Sequence, residues 1–164
     1  HLMEVKKIEF ILLPVYLITN LIKLKKIFSA SDHGGFNLKT SILKFLNKNY
    51  DIKDLGPKQN KKSVDYPDFA HKLCKQVAKN KNHVGILVCG SGVGMSIAAN
   101  KNKGIRAALC YSVKNAKLSR LHNDANVITL GERLIKKTVA LKCVENFLKT
   151  EFEGGRHIKR IKKI

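Results

Sequence analysis

The chain has 164 residues, of which 44% are hydrophobic and 27% are charged, and this length and balance suit one domain with a sizeable apolar core. Lysine and arginine outnumber aspartate and glutamate by 32 to 12, but the lysines are scattered, aromatic residues are few, and no helix-turn-helix, zinc or RNA-binding signature occurs, so we expect no nucleic-acid partner. The four cysteines form no Cys-x-x-Cys pair, which argues against a zinc site or a disulfide framework and favours a reducing, cytoplasmic compartment.

An apolar stretch at residues 8–22 follows two lysines and imitates a signal peptide. It contains Glu9 and Pro14, lacks a small-residue cleavage pattern, and is too short and too interrupted to span a bilayer. We therefore expect no membrane partner. The predicted organisation is an N-terminal extension over residues 1–23 and a single domain over residues 24–164.

Two polar residues follow the first predicted strand. Residues 26–32 predict this strand and residues 36–47 predict a helix, because apolar residues recur there at helical spacing. Asp32 and His33 thus stand at the carboxyl end of the strand. A carboxylate beside an imidazole suits the orientation of a ligand and proton transfer, whereas Asp32 could equally cap the following helix. The residues alone leave both interpretations open.

The central motif lies at residues 84–94, where a continuously apolar run ends in Cys89 and a loop with three glycines. Such a run is typical of a buried parallel strand, and open α/β sheets bind ligands at the carboxyl edge of their strands. The glycines allow backbone N–H groups to approach a phosphate or a developing oxyanion. Met95 stands where a P-loop or a dinucleotide-binding fingerprint requires a small residue, so neither motif is present. The loop indicates either a site for a small phosphorylated or carbonyl ligand, or a turn that serves only helix packing.

The rest of the chain alternates between strand and helix patterns. Further strands are predicted at residues 51–56, 105–110 and 126–130. Four further helices are predicted: one that starts at residues 65–67, one directly after the glycine loop, one at 112–121 and one at 132–150. Residues 122–124 are predicted to form a loop. Five strands that alternate with helices predict a three-layer α/β/α, Rossmann-like fold with a five-stranded parallel sheet.

The C-terminal tail carries Arg156 and Arg160, four residues apart. On a helix these two side chains would share a face and could hold a phosphate between them. A solvated basic tail is the alternative, and the tail by itself favours that alternative.

Six motifs of the chain occur together in one known family. They are Ser-Asp-His-Gly-Gly-Phe at 31–36, Val-Asp-Tyr-Pro at 64–67, Cys-Gly-Ser-Gly-Val-Gly at 89–94, Ser-Arg-Leu-His-Asn-Asp at 119–124, Leu-Gly-Glu-Arg at 130–133 and Glu-Gly-Gly-Arg-His at 153–157. In this order they resemble the type B ribose-5-phosphate isomerases, whose wider family includes the galactose- and allose-6-phosphate isomerases. The resemblance spans about residues 25 to 160.

The resemblance implies a role for each motif residue. In that family the cysteine before the glycine loop moves a proton between two sugar carbons, which implies that Cys89 is the base. A second branch uses a glutamate after the loop, and Met95 puts this chain in the cysteine branch. The resemblance implies that His122 opens the sugar ring, with Asp32 near it and Ser91 at the reacting oxygens. The implied substrate-binding residues are His33, Tyr66, Gly90, Gly92, Val93, Gly94, Asn123, Arg133, Arg156 and Arg160.

The resemblance also implies the reaction and its partners. The expected enzyme interconverts ribose 5-phosphate and ribulose 5-phosphate through an enediolate, with a small phosphorylated sugar as ligand and no metal or cofactor. The family works as homodimers or dimers of dimers, which implies sites shared between subunits. One alternative is a six-carbon isomerase for allose or galactose 6-phosphate. Another is a non-catalytic module that binds phosphosugars or nucleic acid.

Overall fold

The sheet is the centre of the fold. The structure, a computed structural model, describes residues 25–164, so the predicted extension at residues 1–23 lies outside the described residues. The five strands are β1 (Lys26–Ser31), β2 (Ile52–Asp54), β3 (His83–Cys89), β4 (Ala107–Leu109) and β5 (Val127–Gly131). All pairs are parallel, and the strand order is β2-β1-β3-β5-β4. The predicted five-stranded parallel sheet is therefore confirmed, with the strand of the glycine motif at its middle.

Helices cover both faces of this sheet. They are α1 (Phe36–Leu46), α2 (Tyr66–Val77), α3 (Val93–Ala99), α4 (Val113–Asn123), α5 (Lys137–Lys149) and α6 (Arg156–Ile161). Successive side chains of β3 enter different cores, because a strand alternates its faces. Ile86 and Val88 belong to the core that includes α1 and α5, and Leu87 and Cys89 to the core that includes α2 and α3. The sheet is thus buried on both sides, and the three-layer prediction is confirmed.

Two boundaries differ from the sequence prediction. The helix predicted at residues 132–150 begins only at Lys137. Residues 132–136 form a turn instead, because the N–H groups of Glu132 and Arg133 donate to the carbonyls of Cys89 and Gly90 at 2.9 and 3.0 Å. The loop predicted at 122–124 is also partly wrong, since α4 continues through residue 123. No helix in the range 25–164 is long and apolar enough to cross a membrane.

A buried lysine joins α1 to the end of β2. The Lys39 side chain is only 1% exposed, and its Nζ lies 2.7 Å from Asp54 Oδ1 and donates to the Pro57 carbonyl at 2.8 Å. Burial alone would raise the pKa of the Asp54 carboxyl, but hydrogen bonds from Lys39 and the Gly56 N–H outweigh this and lower that pKa. The lysine is therefore a satisfied structural cation.

We expect Lys39→Met to lower the free energy of unfolding by about 2–3 kcal/mol, because the substitution leaves the half-buried Asp54 carboxylate without its main partner. This loss is below that of a fully buried pair, since Asp54 is 21% exposed and keeps Lys58 at 3.3 Å. Urea denaturation measures the change. The control is Lys149→Met, which removes the exposed ion pair with Glu145 at 2.6 Å and should cost much less, because solvent screens the attraction between exposed charges. Equal losses in the two variants would contradict this account of Lys39.

Candidate active site

The strand order brings three strand ends together around Cys89. Val88 pairs with Ser31 of β1, and Cys89 pairs with Gly131 of β5, so the segments that follow these strands meet at one edge. A cavity of about 320 Å³ opens there. Of the predicted site residues, those that line it are Asp32, His33, Tyr66, Cys89, Gly90, Ser91, Gly94 and Arg133. The cavity thus combines a thiol, a carboxylate, an imidazole and a guanidinium.

The Cys89 thiol is held by the glycine loop. Its side chain is buried, and Sγ accepts the Gly92 N–H at 3.0 Å. Gly92 has φ of 78°, a left-handed conformation that a residue with a Cβ adopts only at a cost. An N–H donor aimed at sulfur stabilises a thiolate, which is the form of cysteine that acts as a base or nucleophile. The turn therefore presents the sulfur to the cavity with a donor already in place.

The other three cysteines lie in different environments. Burial raises the pKa of Cys74 and of Cys110 to about 12, and burial also raises the pKa of Cys143. These thiols stay protonated at neutral pH and pack as small apolar side chains. Cys89 is the cysteine of residues 25–164 that lines the cavity.

The Tyr66 ring forms the part of the cavity wall next to the glycine loop. A Cβ added to Gly94 would lie only 2.7 Å from Tyr66 Cζ, so the ring rests directly on the backbone of the loop. Ser91 and Val93 lie on the exposed side of the loop, and the Val93 N–H donates to Ser91 Oγ at 3.3 Å. This close packing requires glycine at position 94 and keeps the loop beside the cavity.

Asp32 caps the turn that follows β1 and also lines the cavity, so its position is compatible with both of the interpretations that the sequence left open. Its Oδ1 accepts the Gly35 N–H at 2.9 Å and so caps a short 3-10 turn, His33–Gly35, and the same side chain lines the cavity. The Nδ1 atom of His33 accepts the Val64 N–H at 3.2 Å. The proton of the neutral ring therefore sits on Nε2, where it can be donated to an anion.

The turn at residues 132–136 carries Arg133 into the cavity. The backbone hydrogen bonds from this turn to the glycine loop, described above, bring the Arg133 guanidinium over Gly90. A Cβ added to Gly90 would lie 3.2 Å from Arg133 Cζ. The Glu132 carboxylate fixes the turn from the other side by accepting the Leu38 N–H of α1 at 2.8 Å. Sequence reasoning gave Glu132 no role, and no local signal marks this contact, because its partner is 94 residues away.

A second group of predicted residues lies away from this cavity. His122 and Asn123 are the last residues of α4, and Arg156 and Arg160 belong to α6. A helix that joins parallel strands runs back toward the amino edge of the sheet, and the 11 residues of α4 rise about 16 Å. Arg106, which precedes β4, donates to the Asn123 carbonyl at 2.9 Å. Within one chain, His122 therefore lies at the opposite edge of the sheet from Cys89 and Asp32.

His122 has two close neighbours from the C-terminal segment. Its ring stacks on His157 with centroids 4.3 Å apart and an interplanar angle of 11°. Its Nε2 lies 3.8 Å from Glu153 Oε2, and the donor atoms of these three side chains all fall within 4.8 Å of one another. The two imidazole planes are nearly parallel, so their in-plane lone pairs do not converge on one point. This arrangement suits a stacked pair of rings better than a metal site.

Comparisons with known proteins show which family this chain is similar to. The family model described as ribose/galactose isomerase matches residues 27–164. Ribose-5-phosphate isomerase B of Escherichia coli is 42% identical over 142 residues, which are 86% of this chain and 95% of that protein. The structure of ribose-5-phosphate isomerase B from Clostridium thermocellum has 50% identity and a TM-score of 0.81, and covers 84% of this chain and 93% of its own.

A further solved structure holds a ligand. Ribose-5-phosphate isomerase B of Mycoplasma genitalium, solved with bound ribulose-5-phosphate, has 48% identity and a TM-score of 0.81, and covers 84% of this chain and 92% of its own. The resemblance drawn from the six motifs is therefore confirmed. On the match of nearly the whole described chain to one family model, and on identities above 40% to its members, this protein belongs to the ribose/galactose isomerase family.

Proposed function

We propose that this protein interconverts ribose 5-phosphate and ribulose 5-phosphate, with Cys89 as the base that transfers the proton. The observation that carries the proposal is the position of Cys89 Sγ, which lines the cavity and accepts the Gly92 N–H at 3.0 Å. The M. genitalium relative with bound ribulose-5-phosphate supports a five-carbon ligand.

The groups around the cavity suit the steps of this reaction. Removal of the proton from the carbon beside the carbonyl gives an enediolate, and return of the proton to the neighbouring carbon completes the exchange. Ser91 Oγ and those N–H groups of residues 90–94 that do not already bond to Cys89 Sγ or Ser91 Oγ are the proposed donors to the enediolate oxygens. Fixed donors of this kind contribute about 3 kcal/mol each to transition-state stabilisation. Asp32 is the proposed acceptor for a sugar hydroxyl.

The phosphate is proposed to bind at the Arg133 side of the cavity. Arg133 offers a planar set of N–H donors, and His33 offers its Nε2–H, since Nδ1 is occupied by Val64. Both groups are held by backbone contacts of neighbouring turns, which supports a preformed anion site.

We further propose that a second copy of the chain completes each site, as in a homodimer or a dimer of dimers. His122, with Asn123, Arg156 and Arg160, lies at the amino edge of the sheet, so it can serve a Cys89 only in another subunit. Exposed apolar side chains near the carboxyl edge support such an interface: Val93 is 42% exposed, Ile97 59% and Tyr111 45%. His122 is then the proposed group that opens the sugar ring, and the two tail arginines add to the phosphate site.

Two observations support the proposed domain organisation and cellular location. All the proposed residues fall within 24–164, which supports a single domain over this range. All four cysteines are free thiols, which supports a reducing compartment and hence the cytoplasm.

Turnover assays on purified protein test the proposed reaction. We expect conversion of ribose 5-phosphate to ribulose 5-phosphate, with allose 6-phosphate and galactose 6-phosphate as poorer substrates, because the M. genitalium relative was solved with the five-carbon ketose bound. A preference for either six-carbon sugar would replace the five-carbon assignment. Binding of ribose 5-phosphate without turnover would favour a binding module instead.

A further inference from the structure

His157 is a buried imidazole to which the proposed reaction gives no role. Its side chain is 4% exposed, and the residue lies in the first turn of the short helix α6. Its ring covers one face of the His122 ring at a centroid distance of 4.3 Å, with the planes within 11° of parallel. His122 itself is 36% exposed, so the stack leaves the other side of that ring accessible. His157 therefore limits the orientations that the His122 ring can take.

The surroundings of His157 keep it neutral. Burial lowers the pKa of His157, and the neighbouring His122 and Arg156 lower it further, although Glu153 acts in the opposite direction. Arg156 Nε lies 3.4 Å from His157 Nε2 and donates to it, so that nitrogen is an acceptor. The second tail arginine, Arg160, also disfavours a charge on this ring. Because the His157 ring is neutral, it can stack on the His122 ring without like-charge repulsion, whether His122 is protonated or not.

The segment before His157 is tied to the same end of α4. The Glu153 N–H donates to the Leu121 carbonyl at 3.1 Å, and the Glu153 carboxylate lies 3.8 Å from His122 Nε2. Gly154 and Gly155 then turn the chain into α6, where Arg156 and His157 follow. The His122 ring thus has a carboxylate at its Nε2 edge and a fixed ring on its face.

We propose that His157 is a positioning residue for ring opening, which holds the His122 imidazole plane by stacking and links it through Arg156 to the phosphate site. The inference rests on the proposed function. In ring opening, a proton leaves the anomeric hydroxyl, the bond between C1 and the ring oxygen breaks, and the ring oxygen gains a proton. Each proton transfer needs its acid or base at a fixed position and orientation relative to the sugar. Displacement of that group can lower the rate by about 100-fold.

The test separates ring opening from proton transfer at carbon. Turnover of ribose 5-phosphate, a closed ring, needs both steps. Wash-in of solvent deuterium at C1 of ribulose 5-phosphate needs only the enolisation assigned to Cys89, because this ketose cannot form a furanose when its C5 hydroxyl carries the phosphate. Both rates are measured at saturating substrate, so weaker phosphate binding through Arg156 does not enter the comparison.

We expect His157→Ala to lower the turnover number for ribose 5-phosphate by about 10–100-fold and to leave deuterium wash-in near the parent value. His157→Phe keeps a flat ring on His122 and should retain most of the turnover. The matched control is His83→Ala, which removes a different histidine, half-buried, packed edge-on against Phe28 at 5.2 Å and remote from the cavity. This control should behave like the parent in both assays.

If the parent protein converts substrate, three results would overturn this inference and leave the proposed function intact. They are unchanged turnover in His157→Ala, an equal fall of turnover and wash-in in that variant, and an equal loss of turnover in His157→Phe and His157→Ala. A parent that binds ribose 5-phosphate but does not convert it would overturn the proposed function together with this inference.

Discussion

Replacement of Cys89 by alanine should lower isomerisation by about 10²–10⁴-fold, the usual contribution of a positioned acid or base. The substitution removes one sulfur atom at the end of β3 and leaves the Gly92 turn and the Arg133 side of the cavity in place. Folding and phosphate binding should therefore change little. Met95, which follows the loop, is fully buried in the core, so no carboxylate is present there to replace the thiol.

Steady-state turnover and binding of inorganic phosphate by calorimetry measure these two effects. Cys74→Ala is the matched control, because Cys74 is a buried thiol of the same core cluster and does not line the cavity. It should keep the parent's turnover. Comparable activity in Cys89→Ala and the parent would show that Cys89 is not the base. Continued deuterium exchange at C1 of ribulose 5-phosphate in that variant would show that another group removes the proton.

A random mixture of Cys89→Ala and His122→Ala chains should recover about a quarter of the parent's activity, although each variant alone should be nearly inactive. If each site takes Cys89 from one chain and His122 from the other, a mixed dimer contains one site with both defects and one intact site. Random mixing makes half of the dimers mixed, and half of their sites are intact. The physical basis is the position of His122 at the far end of α4, at the opposite sheet edge from Cys89.

The mixture is prepared by joint unfolding and refolding, and its dimer content is measured by light scattering. Cys89→Ala mixed with Arg133→Ala is the matched control, since both side chains line the cavity of the same chain and no mixed dimer then has an intact site. Recovery in the control equal to that in the test pair, or no recovery in verified mixed dimers, would contradict the shared site.

The sequence by itself determined the sheet, its class and the position of the thiol. The apolar run that ends in Cys89 is a local signal, because a strand buried on both faces excludes polar residues along its length. The glycine pattern after it is equally local, since the left-handed turn at Gly92 depends on that residue's own backbone. The six motifs predicted the family, which the comparisons show, and they also predicted roles for their residues, which remain proposals.

The tertiary structure decided which of these residues meet. Residues 132–136 have a helical pattern, yet they form a turn because their N–H groups find the carbonyls of the Cys89 loop and Glu132 finds α1. His122 and Asp32 were expected together, but the return of α4 along the sheet separates them within one chain. The stack of His157 on His122 likewise joins two segments that no spacing rule connects. Such contacts depend on the packing of distant segments, so they appear only when the whole sheet and its helices are in place.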